Sequence, residues 1–331
     1  MSETFRALVL DQQDGKTVAR LADLDVGELP PGDVLVDVAW STLNYKDALA
    51  ITGAGKIVRQ FPFVPGIDFA GTVAASDHPC FKPGDEVLLT GWGVGERHWG
   101  GLAGKARVKG EWLLLRPEGL SLRQTMAIGT AGFTAMLCVM ALEEQGVAPE
   151  QGPVVVTGAA GGVGSIAIPL LARRGFQVVA SSGRPELEGY LKELGAAEVV
   201  DRRRFSEGSK APLDSAQWAG AVDSVGGDTL VNLLKGMRYH GVVAACGLAG
   251  GSDFRGTVFP FILRGVRLIG VDSVLVPAER RTTVWRRLAE ELDPALLERI
   301  SSPVRLDEVP DVAPEFLKGA VRGRLVVETG A

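Results

Sequence analysis

Apolar positions along the chain fall into two rhythms. From residue 1 to about 125, short apolar runs are separated by turn residues. Residues 34–39 and 71–74 read as strands, and Gly84-Asp-Glu-Val-Leu-Leu89 as a turn entering a strand. Pro30-Pro31-Gly32, Pro65-Gly66 and Pro83-Gly84 punctuate them. From about 126 to 274 the rhythm becomes strand–helix alternation, with strand candidates at 154–157, 178–181, 198–200, 220–223, 242–246 and 266–271. Six strands joined by helical connections predict a doubly wound parallel sheet. Val284, Trp285, Leu288, Ala289 and Leu292 then share one face at helical spacing. Gly323-Arg-Leu-Val-Val327 predicts a last strand that rejoins the first domain. The expected fold class is α/β: a discontinuous β-rich domain of residues 1–125 and 275–331, and a sheet-and-helix domain of residues 126–274.

Composition sharpens one point in this pattern. Glycine makes up 43 of 331 residues, near twice the usual share of about 7%, which favours a fold rich in tight βα turns. The richest turn is Val154-Val-Val-Thr-Gly-Ala-Ala-Gly-Gly-Val-Gly-Ser165, followed by the apolar Ile166, Ala167, Ile168, Leu170 and Leu171. Strand, turn and helix with Gly158, Gly161 and Gly164 at three-residue spacing suit a dinucleotide pyrophosphate on a helix N-terminus. Gly161, Gly162, Val163 and Gly164 are the candidate contacts; tight turns also need glycine for purely structural reasons. Sites for NAD usually place an acidic residue about 20 residues further on, to accept from the ribose 2′-OH. Here the next strand runs into Ser181-Ser-Gly-Arg184. Ser182, Gly183 and Arg184 offer a hydroxyl and a guanidinium to a 2′-phosphate, so NADPH is expected over NADH. Arg202, Arg203 and Arg204 follow the third strand and should lie beside the same pocket, with Arg202 the candidate contact. Three adjacent arginines cannot all reach one phosphate, and the alternative is ordinary surface charge.

The charge balance narrows the partners. A formal net charge of −5 offers no global basic footprint for nucleic acid. Three scattered cysteines, Cys80, Cys138 and Cys246, give no disulfide framework and suit a reducing compartment. The opening Met-Ser-Glu-Thr-Phe-Arg has no signal-peptide character, so a cytoplasmic location is expected. Gln124 to Leu142 is uncharged over 19 residues, yet its glycines read better as a buried helix than as a membrane span. Three histidines and no CxxC pair leave no set of zinc ligands.

A β-rich domain followed by a dinucleotide domain resembles the medium-chain dehydrogenase/reductase superfamily. That resemblance implies a GroES-like catalytic domain beside a Rossmann doubly wound sheet. Where zinc-dependent members place Gly-His-Glu, this chain reads Pro65-Gly-Ile-Asp-Phe-Ala-Gly71, which resembles the zinc-free, quinone-oxidoreductase-like branch. Ser41-Thr-Leu-Asn-Tyr-Lys-Asp-Ala48, Phe61-Pro-Phe-Val-Pro-Gly-Ile-Asp68, Gly91-Trp-Gly-Val-Gly-Glu-Arg-His-Trp-Gly-Gly101 and Ile128-Gly-Thr-Ala-Gly-Phe-Thr-Ala135 are similar to the acrylyl-CoA reductase (NADPH) family. Ala244-Ala-Cys-Gly-Leu-Ala249, Pro260-Phe-Ile-Leu-Arg-Gly265 and Gly270-Val-Asp-Ser273 continue the likeness. It implies reduction of acryloyl-CoA to propanoyl-CoA with NADPH; a quinone oxidoreductase of the same fold is the alternative.

The resemblance also implies a site. Asn44, Tyr45 and Asp47 fall in the loop where the superfamily keeps its active site. Tyr45 either protonates the substrate α-carbon or hydrogen-bonds the cofactor while water supplies the proton. Lys46 and Asp47 could orient it, and Asp68 reads as structural. Leu248 and Ile262 should line the nicotinamide side, Ser273 should end the sixth strand, and Arg322 should contact the cofactor near the C-terminus. Trp92 and Trp99 could shape a substrate mouth. Lys56, Arg59, Arg97, Arg280 and Arg281 are candidate partners for CoA phosphates. An apolar sixth strand at the sheet edge predicts a homodimer.

Overall fold

The computed structural model describes residues 3–330; Met1, Ser2 and Ala331, which bound the expected domains, lie outside them. Two compact units emerge, one of Met1–Thr130 with Val274–Ala331 and one of Ala131–Ser273.

The first unit begins with a hairpin, β1 (Thr4–Gln13) and β2 (Lys16–Asp25), that the apolar pattern did not predict. Its turn is Asp14-Gly15, with φ of 49° and 77°. Two successive left-handed residues match the right-handed twist of paired strands. Next come β3 (Val34–Leu43), α1 (Tyr45–Thr52), β4 (Asp68–Ser76), β5 (Glu86–Thr90), β6 (Lys105–Val108) and β7 (Leu114–Leu115). α2 (Leu122–Glu144) starts in this unit and bends at Gly129. It is long and apolar enough to cross a membrane, but 94% of its most apolar window is buried inside the protein.

The second unit alternates strictly: β8 (Val154–Val156), α3 (Gly162–Arg173), β9 (Val178–Ser182), α4 (Glu188–Glu193), β10 (Glu198–Asp201), α5 (Arg203–Ser206), β11 (Trp218–Asp223), α6 (Gly227–Lys235), β12 (Met237–Ala245), α7 (Phe259–Arg264) and β13 (Arg267–Gly270). Its six strands pair in the order β10-β9-β8-β11-β12-β13, all parallel. That is the doubly wound order of a Rossmann sheet. β12 starts earlier than its apolar run. Trp218 pairs with Met237, then Gly220 with Val242, so residues between 237 and 242 bulge from the ladder. Arg238, Tyr239 and His240 there are exposed and broke the apolar pattern.

The chain then re-enters the first unit through α8 (Ala278–Glu291), α9 (Pro294–Ile300), β14 (Ser301–Arg305), α10 (Val309–Leu317) and β15 (Arg324–Glu328). The seven-stranded sheet runs β14-β15-β3-β4-β5-β7, with β6 also on β3. β15 pairs antiparallel with β3, Leu325 opposite Leu43. α1 buries Ala48, Ala50 and Ile51 in a cluster with Leu306, Val309 and Ala313 of the C-terminal segment. Those contacts fix the axis of α1, and hence where its first residue, Tyr45, stands.

Candidate functional site

In the second unit, the apolar strand β8 ends at Val156, and Thr157 with a glycine turn delivers the chain to the N-terminus of α3, with Gly161 as N-cap. A side chain at Gly164 would bring its Cβ within 2.5–2.7 Å of the Ala159 backbone, so only glycine allows the helix to pack this close to the turn. The first-turn N–H groups of α3, from Gly162 onward, have no partners within the helix. Gly161, Gly162, Val163 and Gly164 thus form a cradle of the kind a pyrophosphate fits. Asp223, at the end of β11, braces it from beneath by accepting from Thr157 Oγ1 at 2.6 Å and from Gly226 N at 2.9 Å. Burial raises the Asp223 carboxyl above its usual pKa, against those hydrogen bonds.

The end of β9 sorts the basic residues. Ser182 Oγ accepts from Arg184 N at 3.1 Å, and Arg202 N donates to Ser182 O at 2.9 Å. A Cβ on Gly183 would lie 2.6 Å from Arg202 Cδ and Nε, so the Arg202 side chain rests against that glycine. Ser182, Gly183, Arg184 and Arg202 are therefore brought together. Arg203 turns instead to Asp201, 2.7 Å away. Arg204 lies over the Trp218 ring, 4.8 Å from its centroid, and donates to Gln217 at 2.6 Å. Two of the three adjacent arginines are thus surface structure.

The remaining cofactor candidates lie on separate elements. Leu248 follows β12 and Ile262 lies on α7; both are largely exposed, at 56% and 67%. The sixth strand stops at Gly270, so Ser273 does not end it but lies in the following loop, at the limit of the second unit. Arg322 is exposed in the loop before β15.

In the first unit, β3 leads directly to Asn44, the N-cap of α1. Tyr45 is 36% exposed. Its neighbours Asn44 and Asp47, expected beside it as catalytic groups, are buried and fully engaged. Asp47 accepts from Asn44 N at 2.9 Å and from Ile67 N at 3.0 Å. Asn44 Nδ2 donates to Thr42 Oγ1 at 2.7 Å and to Asp68 Oδ2 at 2.9 Å, while Asn44 Oδ1 accepts from Arg324 Nη1 at 3.0 Å. Their polar atoms are turned inward and hold the loop that carries Tyr45. Burial first, and the Asp68 charge second, push Asp47 up from 3.8 to about 7. Lys46 reaches Glu96 at 2.8 Å, tying α1 to the 91–101 loop.

Sequence reasoning missed Arg324, which is 2% exposed. Burial pulls its pKa below the usual arginine value, opposed by the charges of Asp68 and Asp47. On β15 it falls on the face opposite Leu325 and Val327, so no local pattern marked it as buried. Arg281, a candidate for CoA, proves equally buried. It donates to Thr90 O at 2.7 Å and to Val274 O at 3.2 Å and lies over the Trp92 ring, so its charge serves the fold. Lys56, Arg59 and Arg97 remain exposed. Among the described residues no three His, Cys, Asp or Glu side chains cluster as metal ligands, so the donor set does not fit zinc.

Comparison with known proteins covers the whole chain. Residues 30–140 match the alcohol dehydrogenase GroES-like domain family, and residues 162–290 match the family described as zinc-binding dehydrogenase. The chain is 52% identical to acrylyl-CoA reductase AcuI of Ruegeria pomeroyi, over 99% of this chain and 100% of that one. It is similar in structure to YhdH of E. coli K-12 with bound NADPH, at a TM-score of 0.96 and 57% identity over 98% of this chain and 100% of that one. The yhdH oxidoreductase of Salmonella enterica in complex with NADP gives a TM-score of 0.95 and 57% identity over 98% and 99% of the two chains.

Proposed function

The chain belongs to the medium-chain dehydrogenase/reductase superfamily, and from that premise we propose that it is an NADPH-dependent reductase of the C=C bond of acryloyl-CoA. The observation that carries this reading is the full-length likeness to an acrylyl-CoA reductase. The grouping of Arg202 with Ser182, Gly183 and Arg184 supports NADPH as its cofactor.

When bound, NADPH supplies a hydride to the β-carbon of the enoyl thioester. Negative charge then collects on the thioester oxygen, and a proton must reach the α-carbon to give propanoyl-CoA and NADP⁺. The Gly161–Gly164 turn would hold the pyrophosphate, and Arg184 and Arg202 would hold the 2′-phosphate. Leu248, Ile262, Ser273 and Arg322 are proposed as further cofactor contacts. Tyr45 carries the hydroxyl assigned to the proton. Asn44 and Asp47 keep the first turn of α1 rigid, which positioned acid–base chemistry requires. Lys56, Arg59 and Arg97 are the proposed partners of the CoA phosphates. No step is routed through a metal.

We further propose a homodimer, joined along the β13 edge, and a cytoplasmic location in keeping with the free thiols of Cys80, Cys138 and Cys246; recovery in the cytosolic fraction tests the location. The reaction is tested with NADPH deuterated at the transferable position. Deuterium at C3 of propanoyl-CoA and a solvent proton at C2 are expected. No labelled propanoyl-CoA would remove the assignment.

A further inference from the structure

Directly beneath the start of α1 lies a buried cluster built around two charges that the reaction itself does not use. Asp68 opens β4 and Arg324 opens β15, and both are essentially inaccessible to solvent. Asp68 Oδ2 accepts from Thr42 Oγ1 at 2.8 Å, from Asn44 Nδ2 at 2.9 Å and from Thr130 N at 2.9 Å. Its other oxygen accepts from Thr130 Oγ1. Arg324 Nη1 donates to Asn44 Oδ1 at 3.0 Å, and Nε donates to Ala127 O at 3.2 Å. The same two side chains therefore hold the residue before Tyr45 and the backbone on either side of Gly129.

Gly129 sits at φ 52° and ψ −161°, where α2 bends. A Cβ there would fall 2.6 Å from Arg324 Nη2 and 2.7 Å from Asp68 Oδ2, so the bend is moulded onto the pair. One residue later, after Thr130, the chain leaves this unit. The direct ion pair is loose: Arg324 Nη2 stands 3.8 Å from Asp68 Oδ2, beyond hydrogen-bond reach, and has no hydrogen-bond partner among the described residues. Two buried charges arranged this way are costly, and apolar residues of equal volume often serve stability as well or better. What the charges provide is directional contact with several backbone and side-chain groups at once.

We propose that Asp68 and Arg324 are positioning residues for the reduction, a claim that rests on the reductase reading: together they lock the Asn44–Tyr45 turn and the Gly129–Thr130 crossover into one register. Neither touches substrate; each acts through Asn44 and Thr130.

The test compares the holoenzyme with Asp68→Asn, Arg324→Lys, their double variant and the milder Thr130→Val. Four quantities are measured: single-turnover reduction of acryloyl-CoA, NADPH Kd by fluorescence, thermal midpoint, and hydrogen–deuterium exchange of the segments around 44–52 and 125–131. Misplacement by about 1 Å can cost roughly 10²-fold in rate, so each charged-residue variant should slow single turnover by about 10-fold or more. NADPH Kd should stay within about threefold, and the double variant should be little worse than the slower single variant, as for groups that act as a unit. Both segments should exchange faster together in Asp68→Asn, and Thr130→Val should slow turnover without lowering the thermal midpoint. Lowered midpoints with unchanged turnover of the folded enzyme would make the pair merely structural and overturn the proposal. So would faster exchange in only one of the two segments. Absence of wild-type turnover would instead remove the reductase reading, while the exchange experiment still decides whether the pair couples the two segments.

Discussion

Arg324 Nη1 donates to Asn44 Oδ1 across 3.0 Å, joining residues 280 positions apart. The ladder makes this contact: β15 runs antiparallel to β3 with Leu325 opposite Leu43, so Arg324, one residue before Leu325, meets Asn44, one residue after Leu43. The late strand thus completes the floor under a loop laid down near the start of the chain.

The pH dependence of stability should carry the mark of Asp47. Burial and the Asp68 charge raise its folded pKa to about 7 from 3.8. Between these values the folded protein keeps a proton that the unfolded chain has released. Its contribution to stability is therefore greatest below about pH 4, declines as pH rises towards about 7, and is flat above that. Urea unfolding of wild type and Asp47→Asn at several pH values across this window should show the decline in wild type alone. Parallel profiles for the two proteins would contradict it.

Cofactor selectivity should divide the arginines. Arg184→Ala and Arg202→Ala should each raise KM for NADPH by roughly 10–150-fold, the worth of about 1.5–3 kcal/mol for a charge-assisted hydrogen bond, with KM for NADH nearly unchanged. Arg203→Ala and Arg204→Ala should leave both cofactors alone, since Asp201 and Trp218 occupy those side chains. Equal losses for NADPH and NADH in Arg184→Ala would sink the 2′-phosphate assignment.

The parallel sheet was readable because strands covered on both faces are nearly continuous apolar runs, as in Val154, Val155 and Val156. Other features hid from periodicity for separate reasons. The β1–β2 hairpin did carry a local signal, Asp14-Gly15, which the apolar pattern alone overlooks. The exposed Arg238–His240 bulge broke the run of β12. The loop at Asn44–Asp47 could be located from its motif, but which way its side chains turn depends on Asp68 and Arg324. Their burial is a property of strand pairing between distant segments and leaves no trace in local spacing. Arg281 misled for the same reason: an arginine before an amphipathic helix reads as solvated, yet this one is 2% exposed.

Tyr45→Phe separates two roles for the phenol. As proton donor, its loss should lower kcat by about 10²–10⁴-fold with NADPH Kd nearly constant. If it only hydrogen-bonds the cofactor, Kd should weaken by about 10-fold with kcat little changed. Fluorescence titration beside single-turnover kinetics reads both numbers. Weakened affinity at full turnover would leave water as the proton source.

The proposed homodimer rests on an open edge. β13 is the last strand of its sheet, and Leu268 on it is 37% exposed. Val258, Leu263 and Ile262, on or beside the neighbouring α7, are also exposed. Light scattering across micromolar concentrations should give about twice the chain mass of 34.9 kDa. A mass of one chain throughout would leave the edge uncapped and rule out the dimer.

Steady-state NADPH oxidation with acryloyl-CoA against a simple benzoquinone, both in excess EDTA, separates an enoyl-thioester reductase from a quinone enzyme and from a zinc enzyme. Turnover of acryloyl-CoA should be undiminished in the chelator, with one propanoyl-CoA formed per NADPH consumed and a far lower kcat/KM for the quinone. Quinone turnover without enoyl-thioester turnover, or activity lost to EDTA and restored by zinc, would contradict it.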